Sequence, residues 1–516
     1  MIRRLIIIIT MGGTLFFSSV HFVDTQVLPK WIVFAVGGMI WSVVSCAHHL
    51  VPFDRCALLP HKCIHYAIVG LTIIEICWGI CQLPVLIQHG IPLKGSLDNP
   101  AGFSASLCVG FPFILWMLNK GRDRHVIGQV VAWAVIASVL LSASRAGILS
   151  LLFVYAIWKR RNLLRSTRAI QRIGLISIFL CIVTALYLIK KDSADGRMLI
   201  WHCSLEMMLD KPLFGWGING FEAHYMDYQA AYFKRHPDSS YVQLADTVQY
   251  PYNEYLQIGI SFGIVGLLIV IAWLIRLFRV AKKNYSSEKE CGMLVWISVC
   301  VLGFFSYPLM YPFVWTVLLY ATYLLLKDTI KLPSTLRNVG VVCLLPLNFW
   351  IGNLIIRRVK SELAWTEAVT ASAAQQVDRA LEHYQHAYIG LKHDRYFLYN
   401  YAFELNQIGL YDSGTKIAKQ CRELWADYDL ELLLAKMNER RGADMQAELH
   451  YRQASLMCPN RFIPLYCLVQ ILNRNKQQNE AISLARQIVD KPVKIPSFQV
   501  EWIKKTMKEY VNKSDN

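Results

Sequence analysis

The sequence predicts an all-α protein in which a polytopic membrane domain is followed by a soluble domain of helical repeats. The chain of 516 residues is 55% hydrophobic and only 17% charged, whereas average soluble domains carry about a quarter charged residues. The shortage of charge is confined to the first two thirds, where long apolar runs alternate with short polar connections. The last third has an ordinary composition and a period of 33–34 residues. These observations predict an integral membrane protein with one soluble appendage.

The apolar runs are long enough to cross a bilayer, which takes about 20 apolar residues. We predict about 11 transmembrane helices, with one long polar loop at 190–254. The candidate spans are 5–23, 31–51, 64–87, 101–118, 126–143, 146–158, 173–189, 255–277, 292–307, 312–326 and 338–356. The first run follows Arg3 and Arg4 as in a signal peptide, but it lacks a small-x-small cleavage motif, so we predict that it is retained.

The net charge of +17 is explained by the connections between spans. Arg3 and Arg4 place the N-terminus inside, and alternation from there puts every basic cluster on the same side, as the positive-inside rule requires. The clusters are Arg55 and Lys62; Lys120, Arg122 and Arg124; Lys159 to Arg172; Arg276 to Lys283; and Lys327, Lys331 and Arg337. This topology leaves 88–100, the break at Arg145, the loop 190–254 and everything after Arg357 outside, and it predicts a lipid bilayer and no nucleic acid as partner.

Metal and disulfide chemistry find no support in the sequence. Most of the 14 cysteines lie inside apolar runs, where they pack as small hydrophobes, and no CxxC pair is present. Neither an HExxH motif nor a nucleophile elbow occurs, and the acidic residues of the long loop are irregularly spaced. We therefore predict no structural zinc, no disulfide scaffold, no catalytic metal and no cofactor.

The tail from about 357 to 516 is predicted to form a domain separate from the membrane domain 1–356. Turns recur between paired amphipathic helices at Gly409-Leu410-Tyr411, Gly442-Ala443-Asp444 and Lys476-Gln477-Gln478. The pattern resembles tetratricopeptide repeats, whose 34-residue helix–turn–helix units stack to share a core. We predict two to three repeats and a capping helix at about 496–511. An unrelated array of helical hairpins is the alternative.

Two arginines on the predicted outer side are candidates for binding an anion. Arg145 interrupts an apolar stretch, where an ionisable residue costs several kcal/mol unless it faces a polar cavity. A snorkelling arginine at the interface is the alternative. Arg197 follows Gly196 and opens a helical run over 198–209, so its guanidinium and the helix N-terminal amides could bind a phosphate together. A solvated loop arginine is the alternative.

Three glycines within Pro212–Phe221 spell Gly-x-Gly-x-x-Gly, but no strand of a βαβ unit precedes them, which excludes a dinucleotide site. The segment instead predicts a tight, closely packed turn among aromatic side chains. The loop also carries His224 and His236, and a neutral imidazole could accept a proton near pH 7. A solvated loop histidine is the commoner alternative.

These segments, in this order, resemble the O-antigen ligase family, which includes bacterial protein O-oligosaccharyltransferases and is related to O-antigen polymerases. The matching residues cover roughly 90–330. They are Gly95-Ser96-Leu97-Asp98-Asn99-Pro100, Ser144-Arg145-Ala146-Gly147, Gly196-Arg197-x-x-Ile200-Trp201, Asp210-x-Pro212-Leu213-x-Gly215-x-Gly217-x-x-x-Phe221, Asn253-x-x-Leu256-Gln257 and Phe262-Gly263-Ile264-Val265-Gly266.

The resemblance implies a fold like the C-type glycosyltransferases and transfer of a finished glycan from an undecaprenyl-diphosphate carrier to a hydroxyl of a lipid or protein acceptor. It implies an inverting, metal-independent reaction on the outer face of the bacterial inner membrane, with the tail in the periplasm. Arg145 and Arg197 would hold the departing diphosphate, as fixed cations stabilise developing charge elsewhere. The tail could also bind a protein partner.

The chain departs from the family where a His-x-His-Asn segment commonly supplies the base. Here the segment reads Tyr250-Pro251-Tyr252-Asn253, and a tyrosine, with an ordinary pKa near 10, is a poor base at neutral pH. His224 or His236 could fold in, Glu254 could serve, or a dissociative step could proceed without a strong base. Tyr252 and Asn253 remain candidate site residues by position.

Two other functions compete with ligation. A polymerase of the same class would join repeat units on the carrier, although a repeat tail offers a protein-binding surface that favours a ligase. A non-catalytic membrane scaffold would recruit partners through the tail. A transporter is disfavoured, because inverted repeats with midplane charges are not evident in the sequence.

Overall fold

A computed structural model describes residues 2–50, 62–166, 184, 187–188, 190–283, 285–328 and 334–515. Throughout these residues the regular structure is helical, as the sequence predicts. The helices are α1 Ile2–Phe16, α2 Val27–Leu50, α3 Lys62–Ile80, α4 Leu83–His89, α5 Pro100–Met117, α6 Arg122–Leu141, α7 Arg145–Ser166, α8 Lys191–Asp210, α9 Gly220–Arg235, α10 Glu254–Lys283, α11 Ser287–Phe305, α12 Pro312–Leu326, α13 Ser334–Ala373, α14 Val377–Leu391, α15 Arg395–Gln407, α16 Tyr411–Leu424, α17 Tyr428–Arg440, α18 Asp444–Met457, α19 Ile463–Arg474, α20 Gln478–Asp490 and α21 Phe498–Asp515.

The chain divides into two compact units. The membrane unit comprises 1–182, 252–255 and 268–366, and the loop–repeat unit comprises 183–251, 256–267 and 367–516. The long polar loop thus belongs to the same unit as the tail. The sequence boundary at 357 falls within α13, which continues to Ala373. That boundary stays a prediction.

Six helices within the described residues are long and apolar enough to cross a membrane. They are Val27–Ala47, Lys62–His89, Pro100–Met117, Arg122–Leu141, Glu254–Lys283 and Val342–Ala373. The remaining predicted spans overlap shorter or less apolar helices, except 173–189, which lies outside the described residues apart from 184 and 187–188. The basic residues Arg55, Arg168, Arg172 and Lys331 also lie outside them. The protein is a multi-pass membrane protein, and the finer count of about 11 spans stays a prediction.

Helix α5 is the centre of the membrane unit. Every residue from Gly102 to Met117 is buried, and the helix packs against α3, α6, α7, α11 and α12. Close approach depends on small residues: a Cβ on Gly110 would lie 2.2 Å from the Thr72 hydroxyl oxygen. The N-terminus of α5 is capped by Asn99, whose side chain accepts the amides of Ala101 and Gly102. This cap fixes the N-terminal end of the central helix.

The tail consists of paired helices, and the predicted turns are confirmed. Gly409, Gly442 and Lys476 each adopt a left-handed backbone with φ of 80°, 71° and 59°. The same conformation recurs at Gln375, with φ of 59°, one period before Gly409. The repeat spacing therefore begins in the turn between α13 and α14, earlier than the sequence predicts. The predicted capping helix is α21.

Asp427 is a buried N-cap that makes the repeat domain sensitive to pH. Its carboxylate accepts the amides of Asp429 and Leu430 at 2.8 and 3.3 Å. Burial, assisted by the charge of Asp429, raises the pKa of Asp427 to about 6. A carboxyl whose pKa is raised on folding contributes stability below its unfolded pKa of about 4, and that contribution is lost as the pH rises through the folded value.

We expect Asp427→Asn to remove this pH dependence, because the amide still caps the helix and does not titrate. Between pH 4 and pH 8 the variant should gain about 2–3 kcal/mol in free energy of unfolding relative to the wild type. Denaturant titrations at both pH values measure the difference. A difference that does not change with pH contradicts the assignment.

Candidate functional site

The segment 212–217, which we call the glycine turn, forms hydrogen bonds with the backbone on both sides of a break in a membrane helix. Gly263 interrupts α10 with φ of 64° and ψ of −162°, so the carbonyls before it and the amides after it lose their helical partners. The Trp216 and Gly217 amides donate to the Ile260 and Ser261 carbonyls at 2.7 and 3.0 Å. In the other direction, the amides of 264 and 265 donate to the carbonyls of 212 and 213 at 2.8 and 3.3 Å. The turn thereby satisfies backbone groups that are costly to leave unpaired in lipid.

The predicted tight packing of this turn is confirmed by its glycines. Gly215 has φ of 69°, and a Cβ there would lie 2.3 Å from the Ile260 carbonyl oxygen. A Cβ on Gly263 would lie 2.2 Å from the Leu213 carbonyl oxygen. Gly217 also has a positive φ, of 84°, but a Cβ there would meet no atom within 4 Å. The turn requires glycine for two different reasons, backbone conformation and space.

Trp216 joins the turn to the helices on either side of it. Its indole Nε1 donates to the Met207 carbonyl of α8 at 2.8 Å. Its ring lies 4.4 Å, between centroids, from the imidazole of His224 on α9. Lys211 places its ammonium 3.8 Å from the same ring. The loop therefore holds the His224 imidazole against the Trp216 ring. Burial lowers the pKa of His224 below the ordinary value of 6.5. The imidazole is neutral at pH 7, as a general base must be.

The helix that carries His224 is held by the repeats. Helix α9 packs against α16 and α18, the second helices of two successive pairs. Arg422 of α16 pairs with Asp227 and with the buried Glu431. Arg395 lies 3.4 Å from the Glu222 carboxylate, and the Ala426 amide donates to the Glu222 carbonyl at 3.0 Å. The sequence left open whether the tail contacts its own loop, and the structure shows that it does.

Gln229 is the most deeply buried polar contact between α9 and the repeats. The side chain is fully buried. Its amide nitrogen donates to the carbonyls of Met457 and Asp246 at 2.7 and 3.1 Å, and its oxygen accepts the Tyr225 hydroxyl at 2.8 Å. One side chain thus joins α9, the end of α18 and the chain leading back to the membrane.

We expect Gln229→Met to destabilise the loop–repeat unit by about 2–4 kcal/mol, because the thioether cannot donate a hydrogen bond and the carbonyls of Met457 and Asp246 each lose the Gln229 donor. Thermal unfolding and protease cleavage within 236–251 measure the effect. Gln470, an exposed residue of α19 that bonds only to Tyr466, provides the control Gln470→Met. Equal melting temperatures for the two variants would contradict the role of Gln229.

Arg197 does not open a helix, contrary to the sequence prediction. Helix α8 begins at Lys191, so Arg197 lies in its second turn and the helix N-terminal amides are not beside it. The predicted helix start is wrong because a glycine does not have to end a helix. A Cβ at Gly196 would meet no atom within 4 Å, and the helix passes through this residue. Arg197 is half-buried. One turn later, Trp201 donates its indole N–H to the Pro251 carbonyl at 3.0 Å, so α8 contacts the segment that ends the loop.

In the membrane unit, Arg145 is the first residue of α7. Ala143 before it has φ of 52°, which confirms the predicted break between two helices. Ser144 accepts the Ser104 hydroxyl of α5 at 2.7 Å and the Gly147 amide at 3.3 Å. Arg145, which is half-buried, therefore lies at a helix N-terminus beside the central helix. An arginine beside helix N-terminal amides, the arrangement expected at Arg197, occurs here instead.

The segment where the family base is expected forms a capped helix start. Tyr252 has a left-handed φ of 52°, and its ring lies 5.4 Å from that of Tyr307. The Asn253 side chain accepts the Tyr255 amide at 2.9 Å, which makes it the N-cap of α10. Glu254 accepts the Leu309 amide at 2.9 Å. The Asn253 side chain thus has a local backbone partner, whereas Glu254 binds the backbone of a segment 55 residues further along the chain.

Two charged residues that the sequence analysis missed hold the outer loop 94–99. Glu75 and Lys30 are fully or almost fully buried. Glu75 accepts both the amide and the hydroxyl of Ser96, and the Lys30 ammonium donates to the Ser96 carbonyl at 2.7 Å. Asn99, at the end of this loop, donates to the Tyr307 hydroxyl at 3.3 Å. Ionisable residues within apolar runs were the available signal.

The sequence-predicted residues divide between the two units. Arg145, Tyr252, Asn253 and Glu254 belong to the membrane unit, whereas Arg197, His224 and His236 belong to the loop–repeat unit. His236 follows α9, and its ring lies 4.9 Å from that of Tyr232. Within the described ranges, no group of three histidine, cysteine or acidic side chains is placed to hold a metal ion.

Comparison with known proteins finds a family match for the central segment of the chain. A family model described as O-antigen ligase matches residues 130–271. Over this segment the chain is similar to the O-antigen ligase family. The matched segment begins in α6 and ends in α10. It contains Arg145, Arg197, the glycine turn and the backbone at 260–265 to which that turn bonds.

A relative and a solved structure complete the comparison. A protein of Rickettsia conorii named as a polysaccharide ligase is 28% identical over 131 residues, which are 23% of this chain and 28% of the relative. The match thus spans under a third of that relative's length. The crystal structure of yeast Tom70 is similar over 95% of this chain and 92% of its own, with 9% identity and a TM-score of 0.27. The assignment of helical repeats to this chain rests on its own turns and helix pairs.

Proposed function

We propose that this protein transfers a preassembled glycan from an undecaprenyl-diphosphate carrier to an acceptor hydroxyl. The reaction takes place on the outer face of the bacterial inner membrane, inverts the anomeric centre and uses no metal. The observation that carries the proposal is the ligase-family match over 130–271, which contains both arginines and the glycine turn. The acceptor belongs to a lipid or a protein.

The arginines act on the leaving group. As the anomeric bond breaks, negative charge develops on the carrier diphosphate, and fixed guanidiniums stabilise it without having to reorient. Arg145 adds the N-terminal amides of α7, since it is the first residue of that helix. Arg197 is held in the second turn of α8 and needs no such amides.

His224 is the candidate that accepts the proton of the acceptor hydroxyl. Its imidazole is neutral at pH 7, because burial lowers its pKa. Asn253 and Glu254 use their side chains to cap or brace backbone, which favours a supporting role for both. Tyr252 contributes an aromatic surface next to Tyr307.

We expect His224→Gln to lower the transfer rate by about 10²-fold. In the wild type, the rate should fall as the imidazole is protonated below pH 6.5, and the variant should lack this acidic limb. Rates measured from pH 5 to pH 8 test the assignment, with Glu254→Gln as the comparison. An unchanged acidic limb in His224→Gln would exclude this histidine as the base.

The test of the proposed function uses the full chain in detergent or nanodiscs with extracted lipid-linked glycan. Glycan attached to an added acceptor is the expected product. Longer carrier-linked chains without acceptor product would identify a polymerase instead. Failure to bind the lipid-linked glycan, together with retention of a protein partner through 357–516, would identify a non-catalytic scaffold.

A further inference from the structure

One stretch of the loop–repeat unit exposes an unusual number of large apolar side chains. It runs along α8 and through the turn that follows. Six residues define this surface, which we call the apolar face: Met198, Leu205, Leu209, Leu213, Phe214 and Ile218, with exposures of 52, 51, 77, 58, 74 and 78%. Contiguous exposed apolar surface on a folded protein marks a binding or membrane site.

The apolar face follows helical geometry on α8. Met198, Leu205 and Leu209 are separated by seven and four residues, so they share one side of the helix. The opposite side buries Leu199, Ile200, Cys203, Ser204 and Met207. The exposed residues are thus separate from the side of α8 that packs into the protein core. Met198, Leu205 and Leu209 form an apolar stripe opposite the packed side of α8, and the exposed His202, which pairs with Glu206, lies beside them.

The turn part of the apolar face is bonded to a membrane helix. Leu213 and Phe214 lie in the glycine turn, which makes four backbone hydrogen bonds to residues 260–265 of α10. Those residues expose further apolar side chains, namely Phe262, Ile264 and Val265, at 47, 45 and 36%. The apolar face therefore adjoins exposed apolar side chains of a helix that is long and apolar enough to span the bilayer.

The length of α10 sets the depth of the turn. After the break at Gly263, the helix continues to Lys283. About 20 helical residues rise roughly 30 Å, the thickness of the hydrocarbon core. Lys282 and Lys283 mark the end that faces the basic side of the membrane. The glycine turn then lies at the opposite boundary, between hydrocarbon and headgroups.

Charges flank the apolar face as they do in interfacial helices. Lys191 is exposed at the start of α8, and Lys211 is exposed just after its end. Such a helix lies in the plane of the interface, with its apolar side in the acyl-chain boundary and its lysines at the phosphates. A protein–protein surface would have no need of attachment to a membrane helix.

We propose that the apolar face rests in the bilayer leaflet at the outer end of α10 and contacts lipid acyl chains directly. Helix α8 lies along the membrane surface, and the glycine turn enters the leaflet. The occupant of this surface is lipid, rather than a second copy of the chain or a soluble partner.

The experiment introduces the photo-cross-linking amino acid p-benzoylphenylalanine at Phe214 or Ile218 of the full-length protein. The protein is reconstituted in nanodiscs of phosphatidylethanolamine and phosphatidylglycerol. Matched control positions are Ile389 and Phe498 of the repeat domain, which are 77 and 84% exposed. After irradiation, mass spectrometry measures the fraction of protein that carries a covalent phospholipid.

We expect phospholipid adducts at 214 and 218 to exceed those at 389 and 498 by at least about fivefold. Equal yields at all four positions would overturn the proposal, and so would cross-linked protein dimers in place of lipid adducts. A second measurement needs no variant. Wild-type protein in nanodiscs that contain an acyl-chain diazirine lipid should be labelled in 205–218 and not in 386–395, and the reverse would also overturn it.

Discussion

Alanine in place of Arg145 or of Arg197 is expected to lower the rate of glycan transfer by about 10³-fold in each case. Removal of a single preorganised donor to a developing anion costs about 10²–10³-fold in other enzymes, and here each substitution also removes a full charge. The measurement is a time course with lipid-linked glycan and acceptor at equal amounts of folded protein. Binding of the carrier should weaken less than the rate, because the charge on the diphosphate grows as the anomeric bond breaks.

Two sets of variants control this prediction. Arg145→Lys and Arg197→Lys keep the charge but lose the planar fork that grips two phosphate oxygens, so each should retain partial activity. Arg440→Ala alters an exposed arginine of α17 and should be silent. Full transfer by either of the Arg145→Ala and Arg197→Ala variants would remove that arginine from the mechanism.

Alanine at Gly215 or Gly263 is expected to prevent the protein from reaching its folded state in the membrane. Each substitution adds a methyl group 2.2–2.3 Å from a carbonyl oxygen, in a backbone region that already costs an L-residue about 1–2 kcal/mol. The overlap is with backbone that is itself hydrogen-bonded, so neither side can move away. A loss of more than about 4 kcal/mol exceeds the effect of most single substitutions.

Gly217→Ala separates the two causes. This glycine shares the positive φ of its neighbours, but its substituent would enter open space. Gly217→Ala should lower the free energy of unfolding only by the conformational strain, about 1–2 kcal/mol. Size-exclusion chromatography and thermal unfolding in detergent compare the three variants. Similar losses at 215, 217 and 263 would mean that strain alone is responsible and that the pairing of the turn with α10 is not tight.

Local features of this chain were predictable because their causes are local. The turns at Gly409, Gly442 and Lys476 follow from spacing and helix periodicity, and the break before Arg145 follows from Ser142–Ser144. The start of α8 was misjudged, since a single glycine lowers helix stability by only about 1 kcal/mol and surrounding contacts override it. The turn at Gln375 was missed, because it directly follows the long helix α13 and no earlier repeat precedes it to set the spacing.

The long-range arrangements were not predictable from the sequence. The glycines of 212–221 indicate a tight turn but do not reveal that its partner is the backbone of α10 at Gly263. Gln229 resembles any other polar loop residue until its two carbonyl partners are known. For the site, sequence patterns singled out the arginines, whereas the division of the candidate residues between two folded units depends on packing.

The contacts between the loop and the repeats determine when, during synthesis of the chain, the loop can fold. Gln229 bonds to a carbonyl 228 residues further along the chain, and Asp227 to an arginine 195 residues further. At about 5–20 residues per second, the ribosome needs roughly 10–45 s after making the loop to supply its partners. During that interval four more apolar helices, α10 to α13, are synthesised. Folding of the loop is therefore a late, post-insertion event, and a chain interrupted before α15 would have a membrane domain whose loop never meets its partners in the repeats.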